Sequence, residues 1–320
     1  MKKILIIRLS SIGDIVLTSP ILRCLKSQGL VELHYLTKRP YRMLLSNNPH
    51  IDKIIFFKKI KSTISDLKNE KYDLIIDLHN SIRSFWIKLN LSVPTVTYQK
   101  NILARFMFIH FGVLFTKHHV VDGYFGSIKK LGVLNDSKGL EYFLSPDVKV
   151  PFNIEQDFIC WCIGASYESK KLSLEQVVNV CNNTLKSIVL IGGKGEYEMG
   201  KQIVAQTTNS NVFNFCGLLS LDQSSLLIKK SSLVLTNDTG MMHIAAAFKK
   251  RIISFWGCTK PDLGFWPYLN NPKPVNLIYM PGNRPCSKHG KYCRITKYGC
   301  VKKIKSQLIQ KEVEKILRVI

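Results

Sequence analysis

Short apolar runs alternate with helical stretches along most of this chain, and that alternation predicts its architecture. Ile4 to Leu9, Val31 to Leu36, Lys53 to Phe57, Asp73 to Leu78 and Val93 to Tyr98 read as strands of a parallel sheet flanked by helices. A second series follows at Phe158 to Ile163, Ser187 to Ile191, Ser232 to Thr236 and Arg251 to Phe255. Helical patterns near Leu174 to Leu185, Glu196 to Gln206, Asp222 to Lys230 and Met241 to Phe248 separate its members. Between the series lies Ser145 to Asn153, with two prolines and no helical period, which predicts a boundary and two Rossmann-like α/β domains, 1–150 and 151–320. Ser19 before Pro20 predicts an N-cap and Gly29 a helix stop. A last helix, about 302–320, carries Ile304, Leu308, Val313, Ile316, Leu317 and Ile320 near one face, as a core-packing stripe does.

Composition agrees with a folded chain of two cores. The 320 residues are 46% hydrophobic, the mean hydropathy is +0.04, and no low-complexity tract interrupts them. The run after Lys2 and Lys3 is broken by Arg8 after four apolar residues, too short for a signal peptide. Phe106 to Phe115 falls short of the ~20 residues that span a bilayer. Nine cysteines without a secretory signal favour reduced thiols and a cytoplasmic setting. Cys24, Cys160, Cys162, Cys181 and Cys216 sit in apolar segments and are expected in the cores.

Charge changes the picture more. The formal net charge is +24, and each half, divided after Val150, holds 23 basic and 11 acidic residues, so no single tail accounts for it. An anionic partner is expected. Arg284 to Arg318 carries 11 basic residues against Glu312 and Glu314, suiting a membrane surface, a phosphorylated substrate or nucleic acid. A basic nucleic-acid-binding protein is the alternative of another class, but no zinc finger, RRM signature or patterned basic helix is present. Tyr98 to His119 mixes Arg105, Lys117 and two histidines with Phe106, Phe108, Phe111 and Phe115, which suits buried packing better than lipid headgroups.

Candidate chemistry falls at strand-to-helix junctions. In KILIIRLSSIGDIVLTSP a strand runs into Ser10, Ser11, Gly13 and Asp14, where open α/β sheets bind ligands. Asp14 either does chemistry there or caps a first helical turn. LTNDTGMMHIAAA places Asp238, Thr239 and Gly240 before a small-residue helix, an anion site of backbone N–H groups and dipole, with His243 on the first turn. In IGASYESKK, Ser166 and Lys170 suit an anionic leaving group. IGGKGEYE lacks the G-x-G-x-x-G spacing, and its Glu196 suits ribose hydroxyls or a helix N-terminus equally. DLHNSIR brings His79, Asn80 and Arg83 toward an anionic acceptor. Cys286, Cys293 and Cys300, with His289 between the first two, could make a zinc site, yet they lack the close C-x-x-C pair of structural zinc, so metal binding there is the less favoured reading and stays open.

SSIGDIVLTSP, GASYESKK, the GGKGE loop and NDTGMMHIAAA followed by FWGCTKP, in that order over nearly the whole chain, resemble glycosyltransferase family 9, the ADP-heptose:lipopolysaccharide heptosyltransferases. The resemblance implies a GT-B fold, two Rossmann-like domains facing across a cleft, with acceptor on the first and nucleotide-sugar on the second. It implies an inverting transfer without metal or other cofactor, of a heptose from ADP-heptose or of another nucleotide-linked sugar. The acceptor would be a phosphorylated, lipid-linked lipopolysaccharide core, met by a cytoplasmic enzyme in peripheral contact with the inner membrane, and no nucleic acid would bind. Asp14 would be the general base and Lys170 would neutralise the diphosphate. Ser166, Glu196, Asp238, Thr239, Gly240 and His243 would surround the donor, and Ser10, Ser11, Gly13, His79 and Arg83 the acceptor. Lys170, Lys171, Leu172 and Ser173 depart from the family's frequent aromatic and proline after the central lysine, which leaves open which lysine meets the phosphate.

Overall fold

The structure is a computed structural model that describes all residues except 115–117, 152–156, 280, 281, 283, 319 and 320. Phe115, Lys117, Phe152, Asn153 and Ile320, which the sequence patterns used, therefore lie outside the described residues. The chain forms two compact units, one of Met1–Asn101 with His118–Ser145, the other of Ile102–Lys117 with Pro146–Ile320.

Unit 1 is a five-stranded sheet of β1 (Lys2–Ile7), β2 (Val31–Thr37), β3 (Lys53–Phe56), β4 (Leu74–Asp77) and β5 (Thr95–Thr97). Every pairing is parallel and the order is β3-β2-β1-β4-β5. β1 is central because Ile4 to Ile7 are apolar on both faces and all are buried. Around it stand α1 (Ile12–Val16), α2 (Ser19–Gln28), α3 (Ile60–Lys68) and α4 (Ile82–Leu91). Thr18, not Ser19, is the N-cap of α2; Ser19 is already helical and its hydroxyl donates to the Val16 carbonyl. Pro20 then falls one position later than expected, still in the first turn where its missing N–H costs nothing.

α5 (Ile102–Phe111) groups with unit 2, and α6 (Val120–Ile128) returns to unit 1. Arg23 ties that return segment to α2 through Asp136 at 2.7 Å, Glu141 at 3.1 Å and the Gly139 carbonyl at 2.9 Å. The guanidinium hydrogen bond holds the Asp136 carboxyl down to about 2. In α5, Phe108 and Ile109 pack on Leu263 while Ile102, Leu103, Phe106 and Phe111 are exposed, so packing accounts for one face only.

Unit 2 is a six-stranded parallel sheet in the order β11-β10-β9-β6-β7-β8. Its strands are β6 (Ile159–Cys162), β7 (Ile188–Ile191), β8 (Val212–Asn214), β9 (Leu233–Asn237), β10 (Arg251–Trp256) and β11 (Val275–Ile278). Its remaining helices are α7 (Leu174–Asn182), α8 (Tyr197–Gln206), α9 (Leu221–Lys230), α10 (Gly240–Ala247) and α11 (Ser306–Leu317). The apolar pattern missed β8 and β11, the two edges. α11 begins later than expected because Cys300–Lys303 form a 3-10 turn. Within α11 the buried stripe runs through Ile309 and Val313, one helical turn apart, so Leu308 is exposed and Ile309 is buried beside Ile304 and Val313. Gln176 of α7 binds this C-terminal segment through the Val301 and Ile304 carbonyls, at 3.3 and 2.6 Å.

The five cysteines expected in the cores, Cys24, Cys160, Cys162, Cys181 and Cys216, are all buried. Among the described residues no helix is long and apolar enough to cross a membrane.

Trp161 of β6 is fully buried, with Phe255 of β10 beside it at 6.1 Å between ring centroids. Trp161→Ala is expected to destabilise the protein by about 3–5 kcal/mol in urea unfolding, through lost burial and the cavity left behind. A loss under about 1 kcal/mol would contradict this packing.

Candidate functional site

In each sheet the chain order reverses beside its first strand, at β1/β4 in unit 1 and at β6/β9 in unit 2. Loops leaving the carboxyl ends of such strands diverge, opening a crevice where ligands bind. The sequence candidates fall on these loops: Ser10 to Asp14 after β1, His79 to Arg83 after β4, Ser166 to Lys170 after β6 and Asp238 to Gly240 after β9.

In unit 1 the junction is held by a residue the sequence reading overlooked. Arg8, directly after β1, is buried, and its guanidinium donates to the Leu78 carbonyl at 2.6 Å and the Ser10 carbonyl at 2.8 Å. Its remaining nitrogen meets Asp14 Oδ1 at 2.7 Å. Asp14 Oδ2 accepts from the Ser11 hydroxyl at 2.9 Å and the Ser11 backbone N–H at 3.2 Å. Asp14 therefore caps the first turn of α1, with its carboxylate at the end of the loop that leaves β1. Burial pushes its pKa up, but Arg8 and the two Ser11 hydrogen bonds outweigh that, and the carboxyl stays below its ordinary range. Ser10 is half-buried, Ser11 exposed and Gly13 buried within α1.

The β4 loop adds His79 and Asn80. Asp77 Oδ1 accepts both their backbone N–H groups, at 3.0 and 2.8 Å, while Oδ2 pairs with Lys88 at 2.8 Å. Asn80 takes a φ of 45°, a left-handed conformation that asparagine tolerates, and its amide donates to the Tyr98 carbonyl at 2.9 Å. Burial, Arg8 and Lys100 drive the His79 pKa down to about 4, so the ring is neutral at physiological pH. Its Nδ1 is buried with no hydrogen-bond partner among the described residues, leaving it able to meet a hydroxyl. Arg83 is exposed on the first turn of α4, whose outer face also shows Ile82, Phe85, Trp86 and Leu89.

In unit 2, Asn237 at the end of β9 spans the junction, donating to the Ile163 and Gly164 carbonyls at 2.9 and 3.1 Å. Lys170 Nζ lies 2.6 Å from Asp238 Oδ2 and 3.2 Å from the Asp238 carbonyl. The Thr259 hydroxyl donates to the same carboxylate oxygen at 2.8 Å. Thr239 is the N-cap of α10 and makes no side-chain capping bond, so the first-turn N–H groups from Gly240 onward keep their capacity for an anion. Ser166 is exposed, and His243 is buried on α10.

The two adjacent lysines part company here. Lys171 pairs with Glu168 at 2.6 Å and Glu196 at 2.8 Å, whereas Lys170 stands at the β9 loop. Glu196 also accepts the Gly193 N–H at 2.9 Å. Gly164 and Gly192 lie against it so closely that a Cβ would stand 3.1 and 2.9 Å from its side chain. Gly164 and Gly192 thus make room for the Glu196 side chain. The C-terminal cysteine set is larger than expected: Cys258, after β10, joins Cys286, Cys293 and Cys300, and His289 is not in the group.

Such an arrangement offers an ionised carboxylate in unit 1 and, in unit 2, a lysine beside a helix N-terminus. The first suits proton acceptance from a hydroxyl and the second a phosphate.

Residues 60–298 match the model of Glycosyltransferase family 9 (heptosyltransferase). The chain is 24% identical over 308 residues to Lipopolysaccharide heptosyltransferase 2 of Salmonella typhimurium, covering 85% of this chain and 87% of that protein. Its fold resembles the glycosyl transferase family 9 protein from Veillonella parvula, with a TM-score of 0.78, 21% identity and coverage of 100% and 98% of the two chains. The E. coli ADP-heptose lps heptosyltransferase II is also similar, with a TM-score of 0.73, 20% identity and coverage of 99% and 98%. The fold is GT-B.

If Arg8 sets the ionisation of Asp14, Arg8→Met and the milder Arg8→Lys should shift the Asp14 titration upward in carboxyl-carbon NMR, Arg8→Met further. An unmoved titration would remove Arg8 from that role. The folded-state pKa is depressed, so the stability from this pair is present above the unfolded carboxyl value of about 3.9. It is lost as pH falls through the folded value.

Proposed function

The chain belongs to glycosyltransferase family 9, and we propose that it transfers a heptose from ADP-heptose to a lipopolysaccharide core acceptor, inverting the anomeric centre. The observation that carries this reading is Lys170 at the head of α10, beside helix N–H groups that the Thr239 side chain does not cap. A departing nucleoside diphosphate gains negative charge, and a lysine with a helix N-terminus stabilises that charge more in the transition state than before it. Asp238 would repel phosphate directly. Its role is to hold Lys170 and Thr259, so a donor phosphate takes over the ammonium that the carboxylate holds in its absence.

Asp14 is the base in this mechanism. With its pKa depressed it remains ionised at neutral pH and takes the acceptor hydroxyl's proton only as the hydroxyl attacks and becomes acidic. His79, held neutral, orients that hydroxyl or a neighbour rather than supplying charge. Arg83 supplies the cation for a phosphorylated acceptor. Glu196 accepts from the donor ribose, its orientation set by Lys171 and Gly193. No step of this chemistry calls for a metal, since Lys170 and the head of α10 supply the positive field.

A lipid-linked acceptor places the enzyme at the cytoplasmic face of the inner membrane. The net charge of +24 and the exposed Ile82, Phe85, Trp86 and Leu89 beside Arg83 support peripheral contact there.

Purified protein given ADP-heptose and a heptose-deficient core acceptor is expected to release ADP, and a screen of other sugar nucleotides to release less. Absence of ADP release with every donor would sink the reading. Asp14→Asn should lower kcat by about 10²–10⁴-fold with ADP affinity little changed. Lys170→Ala should cost about 10²–10³-fold in kcat and weaken ADP binding as well. Sedimentation with anionic vesicles should fall with added salt and in Trp86→Ala; binding unaffected by both would exclude this surface.

A further inference from the structure

Unit 2 also holds four cysteines that the transfer reaction does not use. We propose that Cys258, Cys286, Cys293 and Cys300 bind a single tetrahedral metal ion, zinc or iron, which clasps the Arg284–Cys300 segment onto the loop after β10, where it lies against the loop that carries Lys170. The four sulfurs all lie within 4.8 Å of one another. Cys258 Sγ is 3.8 Å from Cys300 Sγ, and Cys286 Sγ is 3.9 Å from Cys293 Sγ. Thiolates placed at about 2.3 Å around a central zinc form a tetrahedron with edges of about 3.8 Å. A disulfide needs sulfurs at about 2.05 Å, and all nine cysteines are free.

The surroundings of Cys293 favour a thiolate. Cys293 Sγ accepts from the backbone N–H groups of Ile295 and Thr296 at 3.4 and 3.3 Å, and from the Thr296 hydroxyl at 3.8 Å. A neutral thiol is a weak acceptor, whereas a thiolate warrants three donors. From Arg284 to Lys303 the chain has seven lysines and arginines and no acidic residue, which offsets the negative charge of four thiolates around one ion. Four sulfur donors select zinc or iron, and a site with no open position is structural. Binding would release the thiol protons to solvent. Spacing hid the site because six residues separate each of the last three cysteines, and the fourth ligand comes from the end of a strand.

The clasp reaches the donor site through close backbone contacts. Ser169 donates a short hydrogen bond to the Gly290 carbonyl. A Cβ at Gly290 would meet the Lys170 side chain at 2.8 Å, and one at Gly299 the Ser169 carbonyl at 2.5 Å. Cys286 N–H donates to the Cys258 carbonyl at 2.9 Å, so the segment is laid down directly on the β10 loop. The assignment of Lys170 to the donor phosphate rests on the proposed function; the metal site does not, and its test does not read transfer.

Chain purified under reducing conditions without chelator is expected to carry about one atom of zinc plus iron, falling to near zero in Cys258→Ser and Cys293→Ser. Cobalt(II) added to the reduced metal-free wild type should give the charge-transfer and ligand-field bands of a tetrahedral tetrathiolate, so the test survives a variant that does not fold. Trypsin cleavage at Lys288, Lys291, Arg294 and Lys297 should rise on chelation and fall when metal is restored. Protein that is isolated metal-free and takes up no cobalt, or a peptide map showing Cys258 in a disulfide, would overturn the site. Cleavage indifferent to metal would overturn the clasp.

Discussion

A guanidinium buried at the end of the central strand governs the first unit. Arg8 cannot lie out of water without partners for its donors, and the groups within reach are two loop carbonyls and one carboxylate. Satisfying it brings the loops after β1 and β4 together and fixes Asp14 in one orientation. Such a buried pair adds little net stability, because desolvation offsets most of the attraction. What it supplies is position and ionisation state.

The second unit solves the same junction with a neutral group. Asn237 bridges the β6 and β9 loops through its amide, leaving the positive charge of Lys170 nearer the surface, where a phosphate can reach it. In the first unit the buried cation is an asset, since it keeps a carboxylate ionised.

Strands buried on both faces announced themselves as apolar runs, and so β1, β6, β7 and β9 were legible. The edges were not: β8 has three residues, one of them exposed, and β11 has the polar Asn276 within it. Asp14, Lys170 and the Asp238 loop were visible because small residues after a strand mark a ligand-binding junction. Arg8 was hidden by its setting, since a charged residue beside an apolar run looks like the end of a pattern. Cys258 was hidden by distance along the chain, because only folding brings it to the other three. Leu308 lies five residues before Val313, out of step with a 3.6-residue period, whereas Ile309 lies four before it, so the buried stripe takes Ile309 and leaves Leu308 exposed.

The bond from Gln176 to Val301 and Ile304 joins residues 125 and 128 positions apart. On a ribosome adding roughly 5–20 residues per second, α7 therefore emerges on the order of ten seconds before the segment that covers it. During that interval Gln176 and its apolar neighbours stand open. The core of the second unit is complete only once translation has passed Val313, whereas the residues of the first unit have all been made by Ser145.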